Sequence, residues 1–197
     1  ELGLRLSDSG TDIWEFSEVT SGREFQLYTS DLNSSNGNFI NIWSAFYLGI
    51  NRCNIVINRI PGIEDATDFL RTDEGKNKRI GEAKFLRGYY YFMLVQMFGR
   101  IPLLIDENIG VMTDISRSEI SDIYNVIISD LRFAAQYLPE IQSELARPTR
   151  SAANQLLAKV YLTRGSAEIE NRGKKSTDMD SAAYYAENVI NFKGDLI

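Results

Sequence analysis

The side chains that most enzymes recruit for proton transfer or covalent chemistry are scarce in this sequence. Histidine is absent from its 197 residues, which removes imidazole bases, every His-dependent triad and the commonest metal ligand together. Cys53 stands alone, so neither an internal disulfide nor a thiolate metal cluster can form. It falls on an apolar helical stripe and reads as a small buried hydrophobe, not a reactive thiol. The carboxylate pairs Asp73-Glu74 and Asp106-Glu107 read as solvated loop charges, because a Ca²⁺ site needs oxygen ligands converging from several segments. No catalytic set, metal set or cofactor motif results. What remains is aromatic: Trp14, Phe16, Phe25 and Tyr28 lie scattered among Ser, Thr, Asn, Asp and Gly. The run Tyr89-Tyr90-Tyr91 sits in a helical pattern, where consecutive side chains spread around the axis and form no single platform; its role is packing, with one hydroxyl at a boundary.

The elements that must position these residues follow from composition and spacing. The chain is 44% hydrophobic and 24% charged, close to the globular average. Its 21 basic and 27 acidic residues leave a net charge of −6, without the basic surplus that nucleic-acid binding needs. No apolar run approaches the ~18 residues that could cross a bilayer. The first residues show no basic stretch followed by an apolar one, so a signal peptide is not expected in this segment.

The periodicity predicts five helices. Ile42, Phe46, Ile50, Cys53, Ile57 and Ile60 form one stripe of a helix ending before Pro61-Gly62. From Lys78 to Phe98 the pattern is apolar on several faces, as in a central helix, and Gly99 with Pro102 stops it. Ser116 and Glu119 have the spacing of a capping box ahead of Ile120, Ile123, Ile127, Leu131, Ala134 and Leu138. Thr149 caps the next helix, whose stripe of Ala152, Ala153, Leu156, Leu157, Val160 and Tyr161 ends at Gly165. After a polar loop, Asp178 or Asp180 caps a fifth helix, with Ala183, Ala186, Val189 and Ile190 on a face that lacks a partner; the chain reads as cut there. Gly81-x3-Phe85-x2-Gly88 is a spacing that lets a neighbouring helix approach closely, as in tetratricopeptide (TPR) units, although the units here exceed that class's ~34-residue period. The expectation is an all-α fold. An irregular TPR-like stack of helical hairpins occupies residues 39–197, behind a long loop-rich N-terminal segment, 1–38. Asn51 and Asn54 are unfavourable inside a helix, which helix-to-loop hydrogen bonding would explain. Glu82 and Arg87 are expected to form structural salt bridges.

The run Gly81-Glu82-Ala83-Lys84-Phe85-Leu86-Arg87-Gly88-Tyr89-Tyr90-Tyr91-Phe92, followed by Phe98-Gly99-Arg100-Ile101-Pro102-Leu103, resembles the most distinctive segment of SusD/RagB-like proteins. Trp43, Tyr47, Asn51 and Asn54 are similar to that family's preceding helix. The segments Asp130 to Pro139, Ala152 to Leu162 and Ala183 to Ile190 are similar to the following ones in order and spacing. Gly88 departs from the alanine usual there and Arg100 from the usual aspartate; Gly88 costs about 1 kcal/mol of helix propensity relative to Ala. The resemblance covers roughly Ser7 to Ile190, the N-terminal TPR-like portion of a longer protein.

The resemblance implies a lipid-anchored, cell-surface component of the Gram-negative outer membrane, its anchor lying outside this chain. It implies capture of an oligosaccharide, or less often a peptide, for a SusC-like TonB-dependent transporter, with no covalent chemistry and no cofactor. Pyranose C–H groups pack on exposed aromatic faces, with polar groups nearby for the hydroxyls. The loop aromatics are therefore the ligand-binding candidates, Trp14 first and Phe16 second. The plainer use of Trp14 is to anchor its loop to the helical core. Trp43 and Tyr47 belong to the core pattern. The competing functions are a TPR-like protein-interaction scaffold and a peptide-binding RagB-like protein.

Overall fold

The computed structural model describes residues 23–64, 68–110, 113–167 and 172–194. Among them the structure is helical, without strands: α1 (Arg23–Leu27), α2 (Gly37–Arg59), α3 (Asp73–Phe98), α4 (Ile120–Tyr137), α5 (Arg150–Gly165) and α6 (Asp178–Gly194). Short 3₁₀ turns at Ile60–Gly62 and Asp68–Arg71 lead from α2 to α3. The chain divides into two compact units, Glu1–Phe46 and Tyr47–Ile197.

In the described part of the first unit, the helical turn α1 interrupts a stretch whose sequence reads as loop. Phe25 meets Phe39 edge to face at 5.4 Å, and the Glu24 carboxylate accepts from the amides of Asn36 (3.0 Å) and Asn38 (3.3 Å). These medium-range contacts hold a turn that local periodicity does not show.

In the second unit α3 packs on α4, α4 on α5 and α5 on α6, which is the all-α, irregular TPR-like hairpin stack. Its core is the row of fully buried Phe92 and Leu94 from α3, Ile123, Ile127, Leu131 and Ala134 from α4, and Ala153, Leu157 and Val160 from α5. The small residues of α3 make this approach possible. A Cβ on Gly81 would lie 3.5 Å from Leu138, and one on Gly88 only 3.0 Å from Leu131.

Two helix starts differ from the sequence expectation. α3 begins at Asp73, five residues before Lys78, because the Thr72 hydroxyl accepts from the Gly75 N–H at 3.1 Å. Gly75 is required there, since a Cβ would sit 1.7 Å from the Phe69 carbonyl oxygen. α4 begins at Ile120, and Ser116 does not cap it. The Ser118 N–H is held by the Ile101 carbonyl at 2.9 Å, which keeps the approach extended, while the Glu119 carboxylate pairs with Arg100. Elsewhere Thr149 caps α5 by accepting from the Ala152 N–H at 3.2 Å, and Gly99 ends α3 with φ +68°.

Candidate functional site

The polar residues inside α2 and α3 form one clamp on the extended segment 101–110. Asp130 of α4 is 1% exposed and Arg87 of α3 is 5% exposed, and they pair through two bonds, Nε to Oδ2 at 2.6 Å and Nη2 to Oδ1 at 2.9 Å. Lys84 adds a second cation on Oδ1 at 2.8 Å. The remaining Arg87 nitrogen, Nη1, donates to the Asn54 side-chain oxygen at 2.8 Å and the Ile105 carbonyl at 3.1 Å. The Asn54 amide in turn donates to the carbonyls of Leu104 (3.0 Å) and Asp106 (2.9 Å). Asn51 exchanges both bonds with the Asn108 backbone. The Tyr91 hydroxyl donates to the Leu104 carbonyl and accepts from its N–H, at 2.7 and 2.8 Å. Asn51 and Asn54 thus recover their helix cost in helix-to-loop bonds, as expected from the sequence. Every donor in this cluster has a partner inside it, so its work is positional.

The other residues singled out by sequence take plain roles. Cys53 is buried, and that burial pushes its thiol up to about 11, with Arg87 only partly opposing the rise. The Tyr47 hydroxyl donates to the Pro102 carbonyl at 2.7 Å. Tyr91 is buried, Tyr89 is exposed, and the Tyr90 ring lies on Gly49. Glu82 accepts from Arg79 and Arg147. Glu107 pairs with Arg59, which holds the Glu107 carboxyl below the ordinary glutamate value. Trp14 and Phe16 lie outside the described residues.

A feature not anticipated from sequence is a solvent-open groove across α4, α5 and α6, made of two cavities of about 510 and 500 Å³ that meet at Gln136. α4 supplies Asn125, Ser129, Arg132 and Gln136 at steps of four, three and four, one stripe of its outer face. The floor is Tyr161 of α5, stacked on Tyr185 of α6 at 5.7 Å and 7°. Arg132 and Arg164 both lie over the Tyr161 ring, at 5.8 and 5.3 Å. Partial burial works against the Arg132 charge, but the oxygens of Tyr161 and Tyr185 outweigh it and hold its pKa above the ordinary arginine value. Arg164 is bound by the Asp178 carboxylate at 3.0 and 2.6 Å. Burial alone would raise the Asp178 carboxyl; Arg164 and the Lys175 N–H, 2.9 Å away, lower it overall. Beyond Gln136 the second cavity carries the amides of Asn154 and Asn188, the neutral pair Glu140–Arg150 at 3.1 Å and the exposed Tyr184 ring. Such a wall of rings, amides and hydroxyls can bind a polar ligand. Among the described residues no cluster of carboxylates and thiols could hold a metal ion.

The sequence comparisons give the lineage of this hairpin stack, with its clamped loop and open polar groove. Residues 6–162 match a SusD-like family described as "Starch-binding associating with outer membrane", and the chain belongs to that family. It is 33% identical over 194 residues to SusD-like protein P2 of Formosa agariphila, covering 96% of this chain and 34% of that protein. A crystal structure determined with xylogluco-oligosaccharide superposes with a TM-score of 0.72 at 29% identity, covering 88% of this chain and 33% of the other. A laminarin binding SusD-like protein superposes with a TM-score of 0.68 at 27% identity, covering 85% and 32%. The chain spans about a third of the length of these relatives.

Proposed function

We propose that this chain is part of a cell-surface glycan-binding protein that captures an oligosaccharide and passes it to a SusC-like TonB-dependent transporter in the outer membrane. The observation that carries this reading is the family match over residues 6–162, together with structural likeness to proteins described with xylogluco-oligosaccharide and laminarin. The protein binds and does not turn over its ligand, and it needs no cofactor. A lipid anchor attaches the full-length protein to the cell surface. Residues 39–197 act as the helical frame and residues 1–38 as the loop-rich segment that carries the ligand contact, with Trp14 the principal stacking ring and Phe16 the second. No described helix is long and apolar enough to cross a membrane.

The test is titration of the full-length protein with xylogluco-oligosaccharide, laminarin oligosaccharides and other glycans. Trp14→Ala is expected to weaken binding by at least tenfold, the scale of a lost stacking contact of ~1.4 kcal/mol or more, with an unchanged melting temperature. No binding by the parent to any glycan or peptide sinks the capture reading. A lowered melting temperature in Trp14→Ala with binding intact makes the indole a core anchor.

A further inference from the structure

We infer that the first cavity of the α4–α5–α6 groove is a second saccharide site, built for an acidic sugar whose carboxylate or sulfate group sits between Arg132 and Lys175. This rests on the glycan-capture reading and deepens it by naming a ligand class. The cavity wall carries three cations, Arg132, Arg164 and Lys175, against one carboxylate, Asp178. Arg164 and Asp178 are 3% and 1% exposed and neutralise each other through two hydrogen bonds. Arg132 and Lys175 are left as a local positive surplus in a chain of net charge −6. Both are exposed, and the Arg132 guanidinium, which bonds the oxygens of Tyr161 and Tyr185, has five N–H donors to share with a ligand.

The geometry prepares Arg132 for an anion. Its guanidinium lies over the Tyr161 ring, and that ring is fixed by its stack on Tyr185. A planar fork held in place loses little freedom on binding a carboxylate or sulfate. A neutral sugar in the same position would shield the two cations from water without pairing them, which is unfavourable. A bare inorganic anion would leave most of the roughly 510 Å³ unused. The remainder of the wall offers hydroxyls on Ser129 and Ser181, the Gln136 amide and the half-buried Phe133 ring. These are the groups that sugar hydroxyls and a pyranose face require. Past Gln136 the charged residues lining the second cavity are the self-neutralising pair Glu140–Arg150. A chain with an acidic residue in the first cavity and a neutral one in the second fits this order.

The experiment titrates the full-length protein with an oligogalacturonate, a sulfated oligosaccharide of similar length, a neutral cello-oligosaccharide and sodium sulfate, each at low and high salt. At least one acidic oligosaccharide is expected to bind ten times or more tighter than the neutral one, with affinity falling as salt rises; the two acidic arms distinguish uronate from sulfate ester. Arg132→Gln and Lys175→Gln should each remove most of that preference, and Arg132→Lys should restore part of it. Equal binding of acidic and neutral chains, a preference untouched by both variants, sodium sulfate alone matching the oligosaccharides, or an extended peptide binding there in their place overturns the proposal. If a neutral glycan binds through Trp14 and no acidic one binds, the capture reading stands and this site falls. If no glycan binds, both fall.

Discussion

Asp130 carries the most consequence for a single side chain. It meets two cations, Arg87 and Lys84, at 2.6–2.9 Å with almost no solvent contact. Arg87 in turn holds Asn54 and a loop carbonyl. Removing one partner of a buried ion pair leaves an uncompensated charge, which costs about 3–5 kcal/mol. Asp130→Ala is therefore expected to lower stability by that amount, read from the shift of the urea midpoint. The segment 101–110 should also gain amide-exchange rate, since its clamp is gone. A loss below ~1 kcal/mol would mean that Tyr91, Asn51 and Asn54 hold the segment without the ion pair. The Arg164–Asp178 pair, between α5 and the start of α6, has the same buried, two-bond form.

α3 shows how two glycines seven residues apart do different work within one element. At Gly81 a Cβ would find Leu138 at 3.5 Å and Ala134 at 3.8 Å, ordinary contact distances. Gly81→Ala should therefore gain helix propensity without a clash and raise stability by about 0.5–1 kcal/mol. At Gly88 the added carbon would lie 3.0 Å from the Cγ of Leu131, a side chain with no solvent exposure and no room to retreat. Gly88→Ala should be neutral or destabilising by up to about 1 kcal/mol, because overpacking offsets the propensity gain. Thermal melts of the two variants check this, and stabilisation by both would mean that the α3–α4 interface yields more than its packing implies. The departure from alanine at position 88 thus has a partner in the bulk of Leu131.

Over the whole stack each helix leans on its neighbours, and α6 docks on α5, so stability is expected to pass along nearest-neighbour contacts. The charged tie of that last docking is Arg164–Asp178. The Asp178 carboxyl has a folded pKa below its ordinary value, so the unfolded chain takes up the proton first as pH falls. The stabilisation from this pair is complete above the ordinary aspartate value of ~3.9 and disappears as pH drops through the lower folded value. Urea midpoints of this chain measured from pH 7 down to pH 2 should fall steeply below about pH 4. Asp178→Asn should be less stable at pH 7 and show a shallower acid limb. An acid limb parallel to that of the parent would assign acid unfolding to other carboxylates.

Much of this was legible in the sequence. Helical spacing located α2 to α6, Thr149 and Gly99 marked two ends correctly, and the Gly81–Phe85–Gly88 spacing foretold the close approach of α4 to α3. The lack of histidine removes imidazole chemistry, and the asparagines of α2 signal helix-to-loop bonding. Each of these is a local property, set by side-chain period, capping chemistry or backbone preference over a few residues. The start of α4 departs from the local spacing because a distant carbonyl, that of Ile101, holds the Ser118 N–H and keeps the approach extended where a capping box would form. The groove was invisible for a related reason. Asn125, Ser129, Arg132 and Gln136 look like any solvated helix face until α5 and α6 bring Tyr161, Tyr185 and Lys175 opposite them. A period along one helix is decided by neighbours in the chain, but a cavity and its charge balance depend on side chains tens of residues apart that meet only when the helices pack.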